Sequence, residues 1–243
     1  MNAEEIKPYR ENDAKAPQVE EMFDNIAPAY DFMNTAMTFG MHHYWLRKAL
    51  EASVRTRVSD IIDLATGTGD VAFRLAARYP EASITGVDLS EGMLRIASAK
   101  AKGKSEFSNV RFETGDCLNL RFPEGSFDLL TIAYGVRNFE NLRKGFEEFY
   151  RVLRPKGSFM ILELSRPENP IVKVAYDTYT RGVIPFLGRL ISHDRHAYAY
   201  LPQSIAAMPP RRRIVEMLGE AGFKNISFKS LTFGVVTFYT GEK

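Results

Sequence analysis

The chain has 243 residues, 45% of them hydrophobic and 26% charged, which fits one large globular domain or two small ones. A formal net charge of +2 leaves no electrostatic footprint for wholesale nucleic-acid binding, and the single cysteine, Cys117, excludes an intrachain disulfide or a multi-cysteine metal site. The four histidines show no metal-ligand spacing, so no metal is expected, and no apolar run reaches the ~18 residues of a membrane-crossing helix.

The N-terminus, MNAEEIKPYRENDAK, carries both signs of charge and no apolar stretch, so no secretory signal is expected and the expected location is the cytoplasm. Residues 1–17 are polar and contain Pro8 and Pro17; they are expected to form a flexible arm ahead of a single domain over 18–243. Residues 19–53 read as helical, interrupted at Pro28 and Gly40, and are rich in aromatic residues and methionine. Strands are then predicted at 60–64, 83–88, 110–114, 127–133 and 158–164, with helices at 70–79, 91–102 and 141–153 between them and Pro155-Lys156-Gly157 as a turn. That alternation implies βαβ units, a mostly parallel sheet and a doubly wound α/β fold. The rhythm breaks at 165–210, an insertion carrying Tyr176, Tyr179, Phe186, Tyr198 and Tyr200, and an insertion of this length is expected to be functional. A helix at 211–221 and two β-rich runs, 223–231 and 235–240, close the chain, with Thr232-Phe233-Gly234 short enough for a hairpin.

The central motif is Asp63-Leu64-Ala65-Thr66-Gly67-Thr68-Gly69-Asp70, placed where a strand ends and a helix begins. Glycines there let the backbone turn sharply and let a ligand approach the helix N-terminus, which marks Gly67 as a cofactor-binding residue. Asp88 ends the next strand, where an acid accepts hydrogen bonds from ribose hydroxyls. Asp116, just past the third strand, is a candidate acceptor for an adenine amino group, with the Cys117 amide beside it. Gly67-x-Gly69-x-x-Ala72 also satisfies a dinucleotide fingerprint, so an NAD-dependent oxidoreductase is a rival reading. Charge separates the two. Asp63 and Asp70 both flank the loop, and like charges at about 4 Å repel by roughly 4 kcal/mol at an effective dielectric near 20. A pyrophosphate is disfavoured there, whereas the ammonium and sulfonium of S-adenosylmethionine are attracted.

At this point the chain resembles a family, the demethylmenaquinone and ubiquinone-precursor C-methyltransferases, over about 19–243. The resemblance rests on Met22-Phe23-Asp24-Asn25-Ile26-Ala27-Pro28-Ala29-Tyr30-Asp31-Phe32-Met33-Asn34, on the Gly loop, on Tyr134-Gly135-Val136-Arg137-Asn138, and on Leu162-Glu163-Leu164-Ser165-Arg166-Pro167. It implies a class I methyltransferase fold, a seven-stranded sheet with a reversed last strand, S-adenosylmethionine as cofactor, and a polyprenylated reduced quinone as substrate. It also implies that Thr68, Asp88, Asp116 and Cys117 line the cofactor site. The family commonly has Ser where this chain has Ala133, so any contact there would pass through the backbone. A methyltransferase for another small aromatic or lipid acceptor remains an alternative.

Methylation of a ring carbon needs a neighbouring hydroxyl to lose its proton, and the carbon must lie in line with the sulfonium methyl. Arg137 is expected to stabilise the developing phenolate, Asn138 to orient a ring oxygen, and Tyr30 to hydrogen-bond the ring or close over the cofactor. The bland reading of Arg137 is a surface salt bridge with Glu140. The insertion and N-terminal helices are expected to cover the prenyl tail. Arg181, Arg189, Arg195 and Arg211 to Arg213 are expected to meet anionic lipid at the inner face of the cell membrane, as a peripheral contact. A homodimer is left open.

Overall fold

The computed structural model describes residues 3–53, 58–183 and 195–243. Among them a seven-stranded sheet runs in the order β3-β2-β1-β4-β5-β7-β6, where β1 is Asp60–Leu64, β2 Ser83–Asp88, β3 Val110–Thr114, β4 Phe127–Ala133, β5 Leu153–Leu164, β6 Lys224–Leu231 and β7 Val236–Glu242. The first five pair in parallel, and β7 runs antiparallel to both β5 and β6. The expected doubly wound α/β sheet with a reversed last strand is therefore present.

The central strands are mostly apolar because both faces are covered, with Asp63, Thr85, Thr131 and Glu163 as buried polar exceptions. Successive residues point to opposite sides. Ile61, Leu129 and Met160 pack with Trp45 and Leu46 of α3 (Met41–Ala52) and with Val71 and Leu75 of α4 (Asp70–Arg78). Ile62, Leu130 and Ile161 pack against Phe146 and Phe149 of α6 (Leu142–Val152) and Leu218 of α9 (Arg211–Glu220). A third cluster joins α1 (Lys15–Ile26), α2 (Tyr30–Thr38), Met93 of α5 (Glu91–Ala101) and α8 (Arg195–Ala207). The order reverses at β1, with β2 on one side and β4 on the other, so the crevice outside their carboxyl ends is the topological switch point.

Three expectations are revised. Pro155-Lys156-Gly157 is no turn between elements but a bulge inside β5. Leu153 pairs with Phe127, the register then shifts, and Lys156 takes φ +68°. The chain's last residue keeps this stretch paired: Lys156 N–H donates to the Lys243 carbonyl at 3.1 Å, and Lys243 N–H to that of Gly157 at 2.9 Å. The N-terminal arm, in its described part, is packed down: Ala3 and Ile6 are buried, and α1 already begins at Lys15. Its anchor is Gln18, whose Oε1 accepts from Tyr9 and Arg10 N–H at 3.0 and 2.7 Å. Arg211 faces inward rather than toward lipid, donating to Thr237 Oγ1, the Gly234 carbonyl and Glu168. Arg213 pairs with Glu216 and Glu220. Phe186, Arg189 and the side chains of Arg181 and Arg195 lie outside the described residues.

The insertion places α7 (Pro170–Thr178) and α8 over the sheet's carboxyl edge. Asn169 caps α7, its Oδ1 accepting from Ile171 N–H at 3.0 Å. Tyr179 ties the insertion to α2 by donating its hydroxyl to the Met37 carbonyl at 2.9 Å.

Candidate active site

Two cavities meet at the switch point. The first holds about 730 Å³ of empty space and lies over the ends of β1, β2 and β4; the second, about 1410 Å³, lies between the N-terminal helices and the insertion. Phe23, Tyr30 and Tyr134 line both, so these three rings form the shared wall.

The local backbone is bent to make room. Gly67 and Gly69 take positive φ, +56° and +88°, and α4 starts directly afterward. Ala65 after β1 and Tyr134 after β4 also take positive φ, +47° and +59°. Left-handed backbone at non-glycine residues costs about 1–3 kcal/mol each and persists where the surroundings hold it. The two strand ends touch there: a Cβ on Gly135 would sit 2.7 Å from Ala65 Cβ.

The first cavity is acidic. Glu20, Asp88, Asp116 and Glu140 line it, and no lysine, arginine or histidine does so among the described residues. Asp88 is set by two backbone donors, Gly67 N–H to Oδ2 at 2.8 Å and Ser90 N–H to Oδ1 at 2.9 Å. The Leu89 N–H also bonds this carboxylate, and a lone pair remains for a ligand. Burial pushes the Asp88 carboxyl up to about 6, against the pull of those donors. Asp116 Oδ1 accepts from Leu118 N–H at 2.8 Å, which leaves its other oxygen for a ligand. Cys117 and Ala133 line the same cavity as small walls. Burial raises the Cys117 thiol far above its ordinary range, so a reactive thiolate has no support.

Of the motif Asp63 to Asp70 only Ala65 and Gly67 line this cavity, and Thr68 and Asp63 are engaged elsewhere. Thr68 donates its hydroxyl to Asp31 Oδ1 at 2.5 Å, and Asp31 also pairs with Lys100. Asp63 is fully buried, accepting from Thr66 Oγ1 and Thr131 Oγ1, each at 2.6 Å. Its carboxyl is pushed up to about 7 by burial. Asp70 does not line the cavity either and pairs with Arg74, so the repulsion argued for Asp63 and Asp70 from the sequence belongs instead to Asp88, Asp116, Glu20 and Glu140.

The second cavity is lined mostly by methionine, aromatic and aliphatic side chains from α1, α2 and the insertion. Arg137 stands on its wall and is only 6% exposed. Its partner is not Glu140, as the surface reading has it, but Glu163 of β5. Arg137 Nη1 donates to Glu163 Oε1 at 2.9 Å, and the Arg137 backbone N–H donates to Oε2 at 3.1 Å. Nη1 also donates to the Tyr134 carbonyl, while Nε has no partner among the described residues. The guanidinium charge pulls the phenols of Tyr30, Tyr176 and Tyr200 toward ionisation, although burial is the larger influence and raises all three. Asn138 lies on the first cavity, and its Oδ1 accepts from Tyr200 OH at 3.1 Å. The structure thus brings Gly67, Asp88, Asp116, Cys117, Ala133, Asn138, Tyr30 and Arg137 around one junction. Glu163, Phe23 and Lys15 are additions that the sequence reading gave no role.

The model of the ubiE/COQ5 methyltransferase family matches residues 11–243. A demethylmenaquinone methyltransferase of Bacteroides fragilis is 42% identical over 240 residues, covering 99% of this chain and 98% of that protein. One of Porphyromonas gingivalis is also 42% identical, over the full length of both. Among solved structures, a SAM-dependent methyltransferase of Thermotoga maritima superposes with a TM-score of 0.65 at 16% identity, covering 92% of this chain and 99% of that one, a likeness of fold alone.

Proposed function

The chain belongs to the ubiE/COQ5 methyltransferase family, and from that membership we propose that it carries a methyl group from S-adenosylmethionine to a ring carbon of a prenylated quinol, a demethylmenaquinol. The observation that supports this best is the pairing of cavities: an acidic one with no cationic side chain among the described residues, sharing a wall with a larger apolar one. A sulfonium and an ammonium suit the first, and a dinucleotide diphosphate would meet four carboxylates there. A quinol ring with an isoprenoid tail suits the second.

Bound in the first cavity, the cofactor supplies an electrophilic methyl. The protein's residues do the rest. Asp88 holds the ribose through its remaining acceptor capacity, Asp116 accepts from the adenine amino group, and Gly67 allows the backbone to approach. Phe23, Tyr30 and Tyr134 set the aperture through which donor and acceptor meet, and their rings exclude water. Arg137 favours the ionised ring hydroxyl by its charge, as it does for the neighbouring tyrosines. Asn138 and Tyr200, joined by a hydrogen bond, present an amide and a hydroxyl that orient ring oxygens.

The relatives named for demethylmenaquinone favour a naphthoquinol acceptor, and a methoxy-benzoquinol is the second candidate. The test is an in vitro assay with methyl-labelled S-adenosylmethionine and each reduced precursor in detergent. Label is expected in the naphthoquinol ring. Label in the benzoquinol alone would reassign the acceptor, and label in neither would sink the reading.

A further inference from the structure

Helix α1 roofs the acidic cavity through Ala16, Val19, Glu20 and Phe23, and a charged side chain fastens it near each end. Toward its C-terminal end, Asp24 Oδ1 accepts from Ser90 Oγ at 2.6 Å and Gly92 N–H at 2.8 Å, beside Asp88. At its first residue, Lys15 is 2% exposed. The Lys15 ammonium donates to three backbone carbonyls: Ala3 at 2.6 Å, Phe139 at 3.0 Å and Arg137 at 3.2 Å. That uses every donor the ammonium has.

The two fasteners differ in what they hold. Asp24 grips the start of α5, which carries none of the residues assigned to the acceptor. Lys15 grips the carbonyls on either side of Asn138, in the short turn that also carries Arg137. Further contacts join the same pieces: Glu4 Oε1 accepts from Leu142 N–H at 2.8 Å, and Ala16 N–H reaches Glu140 Oε2 at 3.4 Å. A roof needing only a hydrophobic seat would not bury an ammonium, because removing a charge from water is costly unless it is fully paired. Burial pulls Lys15 down to about 8, against an upward pull from Glu4.

We propose that Lys15 is a positioning residue for methyl transfer: by bracketing Asn138 with two hydrogen bonds it couples closure of the donor roof to the placement of Arg137 and Asn138. With the roof shut, the turn is held at the geometry the acceptor needs. With the roof lifted, the carbonyls of Arg137 and Phe139 lose their common donor and the turn relaxes. This rests on the methyl-transfer reading above.

The test compares wild type, Lys15→Met and Asp24→Ala, measuring the Kd of S-adenosylmethionine and kcat at saturating donor and acceptor. Both variants unfasten the roof, so both are expected to weaken donor binding. Only K15M releases the Arg137–Asn138 turn, so its kcat is expected to fall at least tenfold further than that of D24A. Equal losses of kcat in the two variants would make Lys15 a roof fastener and nothing more, overturning the proposal. Thermal unfolding checks that each variant is folded at the assay temperature. If K15M is not, the comparison passes to Lys15→Arg, which keeps the charge but sets a broader head among the three carbonyls, with the same threshold. A wild-type enzyme that binds no S-adenosylmethionine would sink the methyl-transfer reading and this proposal with it, whereas normal wild-type turnover with an unchanged K15M kcat sinks only the proposal.

Discussion

Arg137→Ala is expected to lower kcat by at least a hundredfold. A preorganised donor at a developing oxyanion contributes on the order of 3 kcal/mol to the barrier, which corresponds to a factor of that size. Arg137 is suited to the role because it is buried, held by Glu163, and close enough to shift the ionisation of three phenols around the acceptor cavity. The same substitution removes one partner of a buried ion pair and leaves Glu163 uncompensated, at about 3–5 kcal/mol of stability. The two effects must therefore be separated. Arg137→Met combined with Glu163→Gln removes both charges and keeps one acceptor oxygen, for either the residue-137 or the Leu164 N–H, which Glu163 serves with separate oxygens. That double variant is expected to regain most of the lost stability and none of the lost turnover. A single variant within about threefold of wild-type kcat would remove Arg137 from catalysis.

Asp88 should make methyl-donor binding depend on pH. Its ionised carboxylate is the form that accepts ribose hydroxyls, and burial holds its pKa near 6. As pH falls through about 6 the free protein takes up a proton that binding must expel, so Kd should rise, approaching tenfold per pH unit below that value. Folding responds with the opposite sign. A carboxyl raised above its unfolded value contributes stability that is complete below about pH 4 and is lost as pH rises through about 6. Asp63, raised to about 7, acts in the same direction, so mild acid favours the fold while it weakens donor binding. Asp88→Asn puts an amide NH2 where either the Gly67 or the Ser90 N–H needs an acceptor. It should weaken donor binding by about ten- to a hundredfold, matching the roughly 1.5–3 kcal/mol of charge-assisted hydrogen bonds, and flatten the pH dependence. Calorimetric titration between pH 5 and 8 reads both, and an unchanged slope in D88N would assign the titration to another group.

The fold was legible because β1, β2 and β4 are short, mostly apolar runs and glycines closely follow β1, β3 and β4, and both signals are local. The ends of β1, β2, β3 and β4 fall where the pattern places them. The bulge at Pro155–Gly157 was not legible, because it depends on pairing with Lys243, nearly 90 residues away. The cofactor loop was legible as a loop but not in its orientations. Nothing local says that Thr68 is claimed by Asp31 from α2, or that Asp63 is taken by Thr66 and Thr131. Glu163 did leave a signal, a lone acid within Phe159-Met160-Ile161-Leu162-Glu163-Leu164, since a charge inside a buried strand must find a partner. Lys15 left none: its three acceptors are backbone carbonyls, which any sequence supplies.

Charge selection in the first cavity is the claim on which the account turns, and paired calorimetric titrations of the wild-type protein with S-adenosylmethionine and with NAD test it most directly. Saturable binding of the sulfonium compound, with no measurable heat from the dinucleotide at the same concentrations, is the predicted result. Saturable binding of NAD with none of S-adenosylmethionine would contradict it.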